Sequence, residues 1–87
     1  MASRPDWPQW WQWRLAFSGH LLRRMIEREL VETDVRAMLH DACDIEPHPD
    51  PGRWIVHTRL HGHRWRLVVE PNRLTRRLAL ITAYEVE

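Results

Sequence analysis

The chain has 87 residues, which excludes a second independently folded unit and leaves room for one domain with a thin core. Its 44% hydrophobic and 29% charged residues are the mix of an ordinary globular protein, not of a disordered tail. The net charge of +1 hides an asymmetry: residues 27–50 hold eight acids and two arginines, whereas residues 53–77 hold seven arginines and one acid.

All thirteen basic residues are arginine, whose planar fork suits bidentate phosphate recognition. No apolar run approaches the roughly 20 residues that cross a bilayer, and the start lacks a signal-peptide pattern, so no membrane partner and a cytoplasmic location are expected. Cys43 stands alone, so packing must hold the core, as in a reducing compartment.

Residues 1–10 read as a loosely ordered, Trp-rich lead-in, and residues 11–87 as a single domain. Alternation of Trp11, Trp13, Leu15 and Phe17 predicts a strand over 11–17. Ser18 is placed to cap a helix over 19–29, with Phe17 and Leu22 as its hydrophobic staple. Leu21, Leu22, Met25 and Ile26 share one arc of that helix, and His20, Arg24 and Arg28 lie along the other. A second helix is predicted over 32–42, its stripe carried by Val35, Met38, Leu39 and Ala42 and its acids Glu32 and Asp34 in the first turn.

After Cys43 the period changes to two. Ile45 begins a short edge strand that Pro47 ends. Strands 53–60 and 63–70 flank His61-Gly62, the length and composition of a two-residue hairpin turn. Pairing Leu60 with His63 then sets Thr58 against Trp65, Val56 against Leu67 and Trp54 against Val69 on an apolar face. The opposite face sets Arg59 against Arg64 and His57 against Arg66. A one-residue slip would mix the two sets. A turn over 72–76 leads into a last strand over 78–85. The expected fold is α+β, two helices packed on one face of an antiparallel sheet of about four strands.

His20, the second helical residue after the cap, lies at the positive end of the dipole with Arg24 one turn on; both favour the uncharged imidazole, which suits a general base. Bonding to a neighbouring backbone group is an equally simple role for it. Arg24 and Arg28 continue its line, and pairing with Glu27 or Glu32 would account for them equally well. Arg59 opposite Arg64 is a destabilising like-charge pair that Glu70, Glu85 or a polyanion laid across His57, Arg59, Arg64 and Arg66 would offset. A plainly solvated sheet face is the simpler alternative. Thr82 and Tyr84 offer hydroxyls at the end of the last strand. His61 and His63 form a conceivable ligand pair, but no cysteine or carboxylate cluster completes it, so neither metal nor cofactor is expected.

Ser18-Gly19-His20-Leu21-Leu22-Arg23-Arg24-Met25, Glu27-Arg28, Asp34-Val35-Arg36, Met38-Leu39, Gly52-Arg53-Trp54, the strand Trp65 to Pro71 and Leu80-Ile81-Thr82-Ala83-Tyr84 resemble the bacterial family known as domain of unknown function 4258, over residues 11–87. That family is grouped with BrnT-like and RelE-like toxins of a metal-independent ribonuclease superfamily. The resemblance implies a helices-on-sheet fold and RNA cleavage, with His20, Arg24, Arg28, Arg53, Thr82 and Tyr84 on the family pattern. Glu29 stands where relatives often have Gly and Val31 where Ser or Thr would cap the second helix, so a less regular turn is expected between the helices.

The reading that follows is a ribonuclease-like toxin. His20 would take the proton of a ribose 2′-hydroxyl, Arg24, Arg28 and Arg66 would hold the phosphate, and Tyr84 would serve as acid. The alternative is a non-catalytic module that binds nucleic acid or a protein, either an antitoxin or a second copy that makes a homodimer.

Overall fold

The change in apolar period divides the chain into helices and then strands, and the computed structural model, which describes residues 8–86, follows that division. A 3₁₀ turn (Gln9–Gln12) leads into β1 (Arg14–Phe17), α1 (Gly19–Glu27), α2 (Glu32–His40), β2 (Asp44–Pro47), β3 (Trp54–Leu60), β4 (His63–Asn72) and β5 (Arg77–Val86). The strands form one sheet in the order β1-β5-β4-β3-β2. Pairs from β2 to β5 are antiparallel, as expected. The sheet is nevertheless mixed and five-stranded, because β1 lies parallel to β5. The antiparallel run fills outward from β2, so the free side of β5 is the place left for the first strand.

Both helices cover the same sheet face, α1 over β5 and α2 over β3. Leu21, Met25, Val35, Met38 and Ala42 meet Val56, Leu60, Trp65, Leu67, Val69, Leu78, Leu80 and Ala83 in one core. The β3–β4 register is the one that the hairpin turn demands, from Leu60 opposite His63 to Trp54 opposite Val69. His61 and Gly62 both have positive φ, 50° and 81°, which matches the twist of the strands they join. Thr58 is the buried polar side chain of the core among the described residues, and its hydroxyl donates to the Met38 carbonyl, pinning α2 to β3. Truncating fully buried Leu67 or Leu80 to alanine removes about 2–5 kcal/mol, a large part of what a small domain possesses.

Three further features depart from the sequence pattern. The first strand begins at Arg14, not Trp11, because the Trp11 and Trp13 amides donate to Pro8 and Trp10 carbonyls, both at 3.0 Å, and wind a 3₁₀ turn. That turn carries Trp10 into the core, 5.9 Å from the Trp54 ring, so residues 8–10 of the expected lead-in are built into the fold; residues 1–7 lie outside the described residues. Of the four apolar residues on the α1 arc, only Leu21 and Met25 are buried, while Leu22 and Ile26 are 48% and 79% exposed. A nine-residue helix resting on β5 buries a stripe narrower than its apolar arc.

The third concerns the helix ends, where α1 stops at Glu27 and α2 at His40. Behind α1 the Leu30 amide donates to the Met25 carbonyl at 2.7 Å and the Glu29 amide to Ile26 at 3.3 Å, the paired bonds of a Schellman ending. The turn is therefore regular, contrary to expectation. Its cost falls on Glu29, which holds φ at 57° with a Cβ that glycine would lack. Val31 caps α2 with no side-chain acceptor; its own amide donates to the Asp34 carboxylate at 2.9 Å, and its carbonyl accepts the Asp34 amide at 2.9 Å. Glu29→Gly is expected to stabilise the fold by about 1 kcal/mol and Val31→Thr by about 0.5–1 kcal/mol. Urea midpoints at unchanged m-value check both; a lower midpoint for the glycine variant would show that the left-handed residue carries no strain.

Candidate functional site

The face of the sheet away from the helices is set by the residues that alternate with the core. Across four strands, Asp44, His57, Arg66 and Tyr84 are successive register neighbours and form one row. Glu46, Ile55, Val68 and Thr82 form the next. Arg59, Arg64 and Val86 lie toward the hairpin tip, and Arg14 sits beside Arg77 at the opposite end. Val68 is buried yet belongs to no part of the helix-side core. The open face thus has an apolar middle between arginine-bearing ends, and is more than a solvated polar surface.

Several of these side chains are held. His57 Nε2 lies 2.8 Å from Glu46 Oε1. Arg53 Nε donates to Glu70 Oε1 at 3.0 Å, and its Nη1 lies 3.7 Å from Asp50 Oδ2, so two carboxylates match this guanidinium. Glu85 lies 3.4 Å from His63. The two acids expected to offset the Arg59–Arg64 pair are therefore engaged with other groups. Between His57, Arg59, Arg64 and Arg66 lies a pocket of about 110 Å³. The Arg66 Nε is buried without a hydrogen-bond partner, an arrangement that leaves a guanidinium donor out of water.

The helix residues form a second group. His20 is exposed and lines a shallow depression with Arg23, Arg24 and Glu27, to which no sheet residue contributes. Arg28 caps the C-terminal end of α1, its amide donating to the Arg24 carbonyl at 2.9 Å. Since α1 packs on the core face, His20, Arg24 and Arg28 belong to the opposite side of the sheet from His57, Arg59, Arg64, Arg66, Thr82 and Tyr84. Ser18 is the link between the two groups. Its hydroxyl accepts the Leu21 amide at 3.0 Å and donates to the Ile81 carbonyl at 2.8 Å. Ile81 is the extra residue where the β4–β5 register shifts between Val68 and Val69, next to Thr82.

Two contributors were not singled out in the sequence. Glu46 could have been, since the alternation Asp44-Ile45-Glu46 puts both acids opposite the inward Ile45. The nearness of Arg14 to Arg77 had no local signal. The histidines of His61-x-His63 diverge, His61 to Asp34 at 3.7 Å and His63 to Glu85, and among the described residues no group of three or more His, Cys, Asp and Glu converges as a metal site. No described helix is long and apolar enough to cross a membrane.

An α+β domain with both helices on one face of the sheet and arginines toward the ends of the other is the class these observations define. Residues 17–85 match the family described as domain of unknown function (DUF4258), and the chain belongs to it. Searches of the curated proteins and of the solved structures give no match.

Arg59→Glu replaces a like-charged cross-strand neighbour of Arg64 with an opposite one. It is expected to stabilise the free protein by about 0.5 kcal/mol, a rise in Tm of roughly 2–4 °C. A thermal melt in low salt reads this; an unchanged or lower Tm would mean that the pair carries no repulsion.

Proposed function

We propose that the domain is a ribonuclease-like RNA-binding protein that holds a phosphodiester backbone on the open face of its sheet and acts on it without a metal. The observation that carries this reading is the row His57, Arg66, Tyr84, bordered by Arg59 and Arg64: an imidazole, guanidinium groups and a phenol as near neighbours on one surface. Cleavage of RNA by its own 2′-hydroxyl needs a base to take that proton, cations to hold the charge gathering on phosphorus-bound oxygens, and an acid for the leaving 5′-oxygen. His57 supplies the base, Arg66 with Arg59 and Arg64 the cations, and Tyr84 the acid, while Thr82 is placed to bond a phosphate oxygen.

In this arrangement the base role first given to His20 passes to His57, because His20, Arg24 and Arg28 stand on the helix side. Arg53, matched by Glu70 and Asp50, shapes the face and carries little free charge for a ligand. The second reading is a non-catalytic surface that binds RNA or an acidic partner such as an antitoxin. The hold of Glu46 on His57 Nε2 favours it, since that nitrogen is engaged and only Nδ1 of the ring is left to accept a proton.

Incubation of generic single-stranded RNA with the protein in EDTA separates the readings. Arg66→Ala is expected to weaken binding about 10–100-fold. His57→Ala is expected to slow cleavage about 10²–10⁴-fold with binding retained, and His20→Ala to leave both unchanged. Salt-dependent binding without cleavage selects the second reading. Loss of cleavage through EDTA alone would refute metal-independent action, and a wild type that neither binds nor cuts RNA would refute both readings.

A further inference from the structure

The β4–β5 turn carries a second group of arginines at the end of the sheet away from the hairpin tip, beside Trp13, whose ring packs against the edge of the helix-side core. Asn72 Oδ1 accepts the Leu74 amide at 3.0 Å and the Thr75 amide at 3.2 Å, and Arg76 holds φ at 52°, so the turn is a defined shape. Arg73 and Arg76 line a pocket of about 270 Å³ with Gln9 and Trp13. Immediately after it, Arg77 begins β5 beside Arg14 of β1. None of these four arginines has an ion-pair partner among the described residues. Leu74, at the tip between Arg73 and Arg76, is 97% exposed, an apolar side chain that the fold itself does not use.

Four neighbouring cations with no ion-pair partner among the described residues repel one another, and a small domain gains nothing in packing from holding them together. Two guanidinium groups, an amide and an indole edge are, however, the set that grips a nucleotide: cations for phosphate, a flat ring for the base. We propose that this pocket is a second RNA-binding site, which holds nucleotides flanking those on the His57 row, with phosphates on Arg73 and Arg76 and a base against Trp13. The inference rests on the RNA-binding reading above. From Arg77 to Tyr84 the strand covers about 20 Å, and Arg14 and Arg77 lie on the open face at the end of β5 that adjoins this turn, so one RNA strand laid along β5 and past these two arginines joins the two sites, whereas a dinucleotide with a single phosphate engages only one.

The test measures binding of a single-stranded RNA of about ten nucleotides, and of a dinucleotide, to the wild type and to the double variant Arg73→Gln, Arg76→Gln across a salt series. Circular dichroism melts establish that the variant is folded. The longer RNA is expected to bind the variant about tenfold or more weakly, with the slope of log K against log salt reduced by about 1.4, or about 0.7 for each phosphate that the variant no longer neutralises. Arg66→Gln should weaken the dinucleotide, and the double variant should not. If the wild type binds the longer RNA and the double variant matches it in affinity and slope, the second site is overturned while the RNA reading stands. If the wild type binds neither RNA, the reading and the inference fall together.

Discussion

Two residues with positive φ, His61 and Gly62, decide which side of the sheet every side chain of β3 and β4 occupies. In a hairpin closed by two residues the pairing has no freedom to drift, and a slip by one position would exchange the two faces. That exchange would bury Arg59, Arg64 and Arg66 beneath the helices while turning Val56, Trp65 and Leu67 to water. Burying a guanidinium group away from water costs several kcal/mol, comparable to the whole stability of a domain this size. The register is thus held from both sides, by what must be inside and by what cannot be. The helices, the core and the arginine-bearing face all presuppose it.

The uneven charge along the chain becomes a specific arrangement in space. The acidic middle segment borders the cationic one: Asp34 reaches His61, Glu46 reaches His57 and Asp50 reaches Arg53. These contacts engage two imidazoles and one guanidinium and leave other arginines, Arg59, Arg66, Arg73 and Arg76 among them, without an ion-pair partner among the described residues. Exposed pairs of this kind add little to stability individually, roughly 0–1 kcal/mol. Their larger effect is to fix where the remaining positive charge lies, at the two ends of a sheet whose middle is apolar or engaged. A net charge of +1 would not have suggested such a surface.

How much of this was legible in the sequence depended on how local the cause was. The hairpin, its register and its two faces were readable because turn length and alternation are properties of adjacent residues, and the Ser18 cap for the same reason. The burial of Trp10 against Trp54 and the parallel seat of β1 on β5 were not, since each joins distant parts of the chain. Leu22 and Ile26 looked like core because an apolar arc shows what a helix can bury, while the width of the partner surface sets what it does bury. For the candidate site, the neighbours His57, Arg59, Arg64 and Arg66 followed from the hairpin, whereas Thr82 and Tyr84 could be placed beside them only once β5 was known to pair with β4. The division between His20 on the helix side and Arg66 on the open face was hidden for the same reason. Position along a chain says which residues share an element, and packing says which side of another element they meet.

The parallel seat of β1 also bears on how the protein is made. Ser18 and its bonding partner Ile81 are 63 positions apart, so the first strand has no neighbour until the last has left the ribosome. The hairpin, by contrast, is complete as soon as its own residues emerge. Synthesis therefore presents the β3–β4 pair first, with its helix-facing surface only partly covered, and delays closure of the core until β5 has emerged. Contacts of such long sequence separation slow folding and lengthen the interval in which apolar surface stays open to other chains.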